Sequence, residues 1–249
     1  MGSSRLPNKV LMKVNGEQTV LEHVIKQLSF CKSIGKIIVA TTNLKQDDVI
    51  EELVKKLEID VFRGDSSDVL DRYYQCAKKF NLDNIVRITS DCPLIDPEIV
   101  DKVIRKYEIE KFDYVTNTLI RTFPIGLDAE IFSFDVLEKT WKNAILPSER
   151  EHVTPFIRNK KMDFSVGNIE HEEDLSKIRV GLDRKEDYEL IKIIVNEFEK
   201  RPILLQDIIK LFENKPELMR INEHIQHDEG MKKSLELDID FNRKKDRID

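Results

Sequence analysis

Little in this sequence points away from an ordinary globular protein of mixed helices and strands. Its 249 residues include 8 glycines, 8 prolines, 3 cysteines and 1 tryptophan, and aromatic residues make up only 7%. So little glycine and proline excludes a collagen-like or low-complexity chain. Cys31, Cys76 and Cys92 are odd in number and widely spaced, which excludes a disulfide framework or a zinc motif and suits a reducing, cytoplasmic setting. Cys31 and Cys76 read as small buried apolar residues. No apolar run reaches the roughly 18 residues of a membrane-spanning helix, and no signal peptide opens the chain. Leu6 stands where a myristoylation signal would need Ser or Thr. Positive charge is not in excess either. With 41 Lys and Arg against 47 Asp and Glu, the net charge is −6, which argues against a nucleic acid partner. A local basic pocket would still accept an anionic nucleotide.

What is present is a regular alternation of periods. Thr19 to Leu28 puts Val20, Leu21, Val24, Ile25 and Leu28 on one helical face, and Ile37 to Ala40 is a short run typical of a strand buried on both sides. Helices are expected over Asp47–Leu57, Asp68–Phe80 and Pro97–Tyr107, with strands at Val61-Phe62, Asn84–Thr89 and Asp113–Asn117. This order implies an α/β, Rossmann-like, doubly wound, mostly parallel sheet with ligands beyond the carboxyl ends of its strands. Further along, Asp128–Phe132 reads as a strand and Asp135–Lys142, Glu149–Arg158 and Lys185–Phe198 as helices, with short strands near Phe164 and Ile178. After Arg201 the chain is charged and helical, and Phe241–Asp249 reads as a frayed tail. The expected division is a nucleotide-binding domain over residues 1–200 and a helical C-terminal extension over 201–249.

Four clusters fall in expected loops. The first, Gly2-Ser3-Ser4-Arg5-Leu6-Pro7-Asn8-Lys9, combines small residues and hydroxyls with two cations, a composition that suits phosphate oxygens but also describes a basic terminus. In the second, Arg63 to Arg72, either Ser67 or Asp68 serves as a helix N-cap, while Arg63 and Arg72 flank the loop. The third, Arg87-Ile88-Thr89-Ser90-Asp91-Cys92-Pro93, leaves Asp91 at a strand's carboxyl end, where a metal-bearing carboxylate is useful. Asp96 and Pro97 instead read as an N-cap and first helical residue. In the fourth, Asp183 has two readings of equal standing: a second carboxylate beside Asp91, or an N-cap completed by Glu186.

Taken in order, these segments resemble the spore-coat polysaccharide cytidylyltransferase family, a branch of the sugar cytidylyltransferases related to the acylneuraminate and 3-deoxy-manno-octulosonate enzymes. The resemblance also takes in Asp113-Tyr114-Val115-Thr116-Asn117-Thr118, Gly126-Leu127-Asp128-Ala129-Glu130, Ser148-Glu149-Arg150-Glu151-His152-Val153-Thr154-Pro155 and a late block from Pro216 to Leu235. It implies a fold of the nucleotide-diphospho-sugar transferase type and a cytoplasmic, magnesium-dependent enzyme that moves CMP from CTP to an acidic or related sugar, for surface polysaccharide or glycan synthesis. Pyrophosphate leaves. On matching positions Arg5, Lys9 and Asp91 are catalytic, and Asp91 and Asp183 hold magnesium. Ser4, Arg5, Lys9, Arg63, Asp68, Arg72 and Ser90 contact the nucleotide, and Glu130, Glu149 and His152 face the sugar. A homodimer is implied in the same way, while the charge and the lack of long apolar runs lead us to expect no nucleic acid or membrane partner.

The chain departs from the family pattern in three places. Asn8 stands where glycine is common, Arg184-Lys185 replaces Thr-Pro, and the hydrophobic strand that ordinarily precedes the first motif is not present, so the first core strand is expected to be missing. Two other readings remain open on sequence: a glycosyltransferase of the same fold consuming a nucleotide sugar, and an inactive scaffold that pairs with a partner.

Overall fold

The computed structural model describes residues 5–160, 162–226 and 229–245. In chain order its elements are α1 (Val20–Leu28), β1 (Ile38–Thr42), α2 (Asp48–Lys56), β2 (Asp60–Gly64), α3 (Val69–Lys79), β3 (Asn84–Arg87), α4 (Pro97–Glu110), β4 (Tyr114–Thr116), β5 (Glu130–Ser133), α5 (Phe134–Asn143), α6 (Pro147–His152), α7 (Pro155–Asn159), β6 (Val166–Asn168), α8 (Lys185–Glu197), α9 (Leu205–Asn214) and α10 (Glu229–Lys245). The α/β class and the alternation of helix and strand are as expected. The strands form two sheets, a parallel pair β1-β2 and a four-stranded sheet in the order β3-β5-β4-β6.

The chain separates into two compact units, each assembled from distant stretches. One comprises 1–37, 86–131 and 167–225; the other comprises 38–85, 132–166 and 226–249. In the first unit, α1 starts at a capping box: Glu22 N–H donates to Thr19 Oγ1 at 3.2 Å, and Thr19 N–H donates to the Glu22 carboxylate at 2.6 Å. Its buried face is the expected one. Asp96 caps α4 by accepting from the N–H of Glu98 at 2.7 Å and of Ile99 at 3.4 Å, and its other oxygen accepts from Leu205 N–H at 2.7 Å. Fully buried Gln27 joins the carbonyls of Ile95 and Ile203. Around these polar pins packs one apolar core containing Leu94, Leu127, Leu182, Leu190, Ile191 and Ile194. Each such side chain contributes about 1.5–3 kcal/mol through burial, and the loops that carry the site are anchored in this core.

In the second unit, Asp68 caps α3, accepting from Asp71 N–H at 2.8 Å. Tyr74 of α3 stacks on Trp141 of α5 with centroids 4.1 Å apart, and Trp141 Nε1–H donates to Asp71 at 2.8 Å. Helix α10 docks on α6: Ser148 N–H donates to Asp238 at 2.8 Å, and His152 Nε2 meets Ser234 Oγ at 3.0 Å.

Three expectations are corrected. The Ile37–Ala40 run is only half-buried, because β1 pairs with β2 alone among the described strands. The single helix expected over Glu149–Arg158 is broken into α6 and α7, since Val153 takes a positive φ of 72° and Pro155 starts the next helix. The tail expected to fray from Phe241 continues as helix to Lys245, held at Asp238 and Ser234. Among the described residues no helix is long and apolar enough to cross a membrane.

Candidate active site

Just beyond β3, residues Ser90 and Asp91 form a turn, and Thr89 Oγ1 donates to Asp91 Oδ1. The second loop, Arg179 to Asp183, lies against it: Leu182 N–H donates to the Asp91 carbonyl at 2.8 Å. This segment is also bridged to Ile125, whose carbonyl accepts from Val180 N–H at 2.8 Å. One glycine permits the approach. Gly126 has φ of 95°, and a Cβ built there would meet Gly181 N at 2.3 Å. Any side chain at Gly126 would force the two loops apart.

The two carboxylates carried by these loops converge on one cation, the Lys9 ammonium. Its Nζ lies 3.4 Å from Asp91 Oδ2 and 3.0 Å from Asp183 Oδ1, and it donates to the Leu182 carbonyl at 2.6 Å. Arg5 adds a second contact, NH2 to Asp183 Oδ1 at 2.7 Å. Burial pushes the Asp183 pKa up, but Lys9 and Arg5 outweigh it and hold the group at about 2. Neighbouring Cys92 is fully enclosed, and burial, with the Asp91 charge, drives its thiol well above the ordinary value. Asn8, at the head of the 3-10 turn that carries Lys9, has φ of 60°. Glycine adopts that conformation freely and Asn is among the best-tolerated alternatives, so this departure from the family pattern costs little.

The capping alternative for Asp183 does not hold. Asp187 does the capping instead, since its Oδ2 accepts from the N–H groups of both Asp183 and Arg184 at 2.9 Å. Glu186 completes no box with Asp183, whose side chain is thereby left for Lys9 and Arg5. Sequence position assigns no role to Asp187, or to Asn222, whose Nδ2 donates to the Asp187 carboxylate at 2.9 Å. Nor does it mark Arg179, which grips Asp187 with two nitrogens at 2.7 and 2.9 Å.

The other candidates are placed as follows. Gly2, Ser3 and Ser4 lie outside the described residues. Ser90 is half-buried beside Asp91. In the second unit, Arg63 is spent within its own neighbourhood, with Nε on the Thr42 carbonyl, NH1 on Asp48 and Glu51 and NH2 on the Leu44 carbonyl. Asp68 both caps α3 and accepts from Arg150 Nε at 3.0 Å. Arg72 donates NH1 to the Asp65 carbonyl at 2.6 Å. The three sugar-facing candidates all make internal contacts: buried Glu130 pairs with Arg87 at 3.1 Å, and buried Glu149 accepts from the N–H of Ile145 and Leu146. His152 meets Ser234 of α10.

Against known proteins, residues 1–226 match the family model described as cytidylyltransferase. An uncharacterized protein of Methanocaldococcus jannaschii is 39% identical over 226 residues, covering 90% of this chain and 91% of its own length. A spore coat polysaccharide biosynthesis protein of Bacillus subtilis is 32% identical over 224 residues, 87% of this chain and 92% of its own. Among solved structures, a cytidylyltransferase from Leptospira borgpetersenii superposes with a TM-score of 0.85 at 37% identity, covering 91% of this chain and 95% of that one.

Proposed function

The chain belongs to the cytidylyltransferase family, and from that premise we propose that it transfers CMP from CTP to a sugar destined for surface polysaccharide or glycan. The observation that carries this reading is the convergence of Asp91 and Asp183 on the Lys9 ammonium. Two hard carboxylates on one cation make a donor set that fits magnesium, which commonly takes one or two carboxylates and completes its shell with water and substrate phosphate oxygens. Water and substrate phosphate oxygens would complete the metal's shell beside these two carboxylates. Without a cation, two carboxylates about 4 Å apart repel by roughly 4 kcal/mol at an effective dielectric near 20. In the structure Lys9 supplies the opposing charge.

When bound, magnesium neutralises charge on the phosphate oxygens. The acceptor hydroxyl forms a bond to the α-phosphorus of CTP, the bond from that phosphorus to the bridging oxygen breaks, pyrophosphate leaves and the hydroxyl proton passes to water. Lys9 and Arg5 turn from Asp183 toward the triphosphate and stabilise its developing charge, which is where catalysis of phosphoryl chemistry chiefly lies. Asp91 and Asp183 would hold the metal, which would supply positive charge beside the triphosphate. The polysaccharide role of the Bacillus subtilis relative supports a sugar acceptor.

The test is pyrophosphate release from CTP across a panel of sugars, acidic ones first, with product identified as a CMP-sugar by mass. Release that requires magnesium, CTP and one sugar class supports the reading. Transfer from a preformed nucleotide sugar, with no pyrophosphate from CTP, would replace it with a glycosyltransferase.

A further inference from the structure

Asp187 is fully buried, and its two oxygens take five donors. Oδ1 accepts from Arg179 Nε at 2.7 Å and Asn222 Nδ2 at 2.9 Å, and Oδ2 accepts from Arg179 NH2 and from the N–H groups of Asp183 and Arg184, each at 2.9 Å. A carboxylate offers about four lone-pair sites. None is left for a ligand, so whatever Asp187 does it does through its neighbours. Two of those neighbours lead directly to Asp183: the backbone N–H of that residue, and Arg179, whose NH2 also reaches Asp183 Oδ2 at 3.4 Å. Asn222 locks the arrangement from the far side by donating as well to the Arg179 carbonyl at 3.1 Å. It follows the 3-10 turn Pro216–Ile221 and is 2% exposed.

A carboxylate on a loop is free to swing; here the backbone and one flank of Asp183 are fixed by a buried, charge-paired network. We propose that Asp187, Arg179 and Asn222 are positioning residues that hold the Asp183 carboxylate facing Asp91, so that divalent-cation affinity depends on Asn222, a residue in the C-terminal segment that touches neither cation nor substrate. The proposal rests on the metal reading of Asp91 and Asp183 given above. Partners that orient metal-binding groups typically matter by about 10–100-fold in metal affinity. The bidentate grip of Arg179 makes Lys a poor substitute for it.

The test is Mn2+ binding, followed by electron paramagnetic resonance in the presence of saturating CTP, for the full chain and for Asn222→Ala, Arg179→Lys and Asp183→Asn, each at a temperature where circular dichroism shows it folded. Asn222→Ala leaves the buried Arg179–Asp187 pair intact, so it decides the matter if Arg179→Lys fails to fold. The expected result is Mn2+ binding weakened about 10–100-fold in Asn222→Ala and at least as much in Arg179→Lys. Half-saturating metal for turnover should rise in parallel, with kcat at saturating metal little changed. Mn2+ affinity within twofold of the parent in the folded Asn222 variant, while Asp183→Asn loses binding, would overturn the positioning proposal alone. Unchanged Mn2+ affinity in Asp183→Asn would instead overturn the metal reading beneath it.

Discussion

Replacing Asp183 by Asn is expected to change the acid limb of the stability curve in a calculable way. In the folded chain burial opposes ionisation of Asp183, but Lys9 and Arg5 outweigh it and bring its pKa from the ordinary 3.8 to about 2. At 1.36 kcal/mol per pKa unit, that depression contributes about 2 kcal/mol of stability at neutral pH. Because the folded pKa lies below the unfolded one, the contribution is fully present above the unfolded value. It is lost as the pH falls through the folded value, about half of it by roughly pH 3. Other depressed carboxylates, such as Asp187 and Asp207, remain in both proteins and cancel in the comparison. Urea unfolding of the parent and of Asp183→Asn between pH 7 and 3 should therefore show the stability gap shrinking by about 1 kcal/mol toward acid. Parallel curves would mean that Asp183 is not held by Lys9 and Arg5, and the convergence argued for the site would fail with it.

Further outcomes follow from neighbouring features. Gly126→Ala should destabilise by more than about 2 kcal/mol in thermal or urea unfolding, since its φ of 95° and the Gly181 backbone 2.3 Å away leave no room for a Cβ. Asp238→Ala leaves the Ser148 N–H without its acceptor. It should cost about 1–3 kcal/mol, seen as faster proteolysis within α10 with turnover unaffected. Lys9→Met removes the ammonium that faces both carboxylates and should lower kcat/KM for CTP by about 100-fold or more in a pyrophosphate assay.

Much of the arrangement is legible in the sequence, and what is not has definite physical causes. Thr19 with Glu22, and Asp96 with Pro97, are local devices whose spacing alone reveals them, and both appear as expected. Asp91 was found because strand alternation marks the carboxyl end of β3. Asp183 was ambiguous because its neighbours include acids at two adjacent positions. Counting three residues from Asp183 selects Glu186 as a capping partner, and counting from Arg184 selects Asp187; which frame holds depends on where α8 starts. Asn222 carries no signal at all, since it lies 35 positions further along the chain from Asp187 and meets it only once the chain has folded. Arg63 flanks a loop on the expected ligand side, and nothing in its spacing reveals that Asp48, Glu51 and two carbonyls hold its guanidinium. Glu149 matches a sugar-facing position of the family, but α6 starts at Pro147, two residues earlier than the periodicity predicts, and this places the Glu149 carboxylate where it accepts from the N–H groups of Ile145 and Leu146.

The most direct test of the central idea is turnover by Asp91→Asn. With CTP, magnesium and the accepted sugar, pyrophosphate release should fall by about 1000-fold or more, while the circular dichroism spectrum and melting temperature stay close to those of the parent. Release at the parental rate from the folded variant would remove Asp91 from the mechanism and contradict the account.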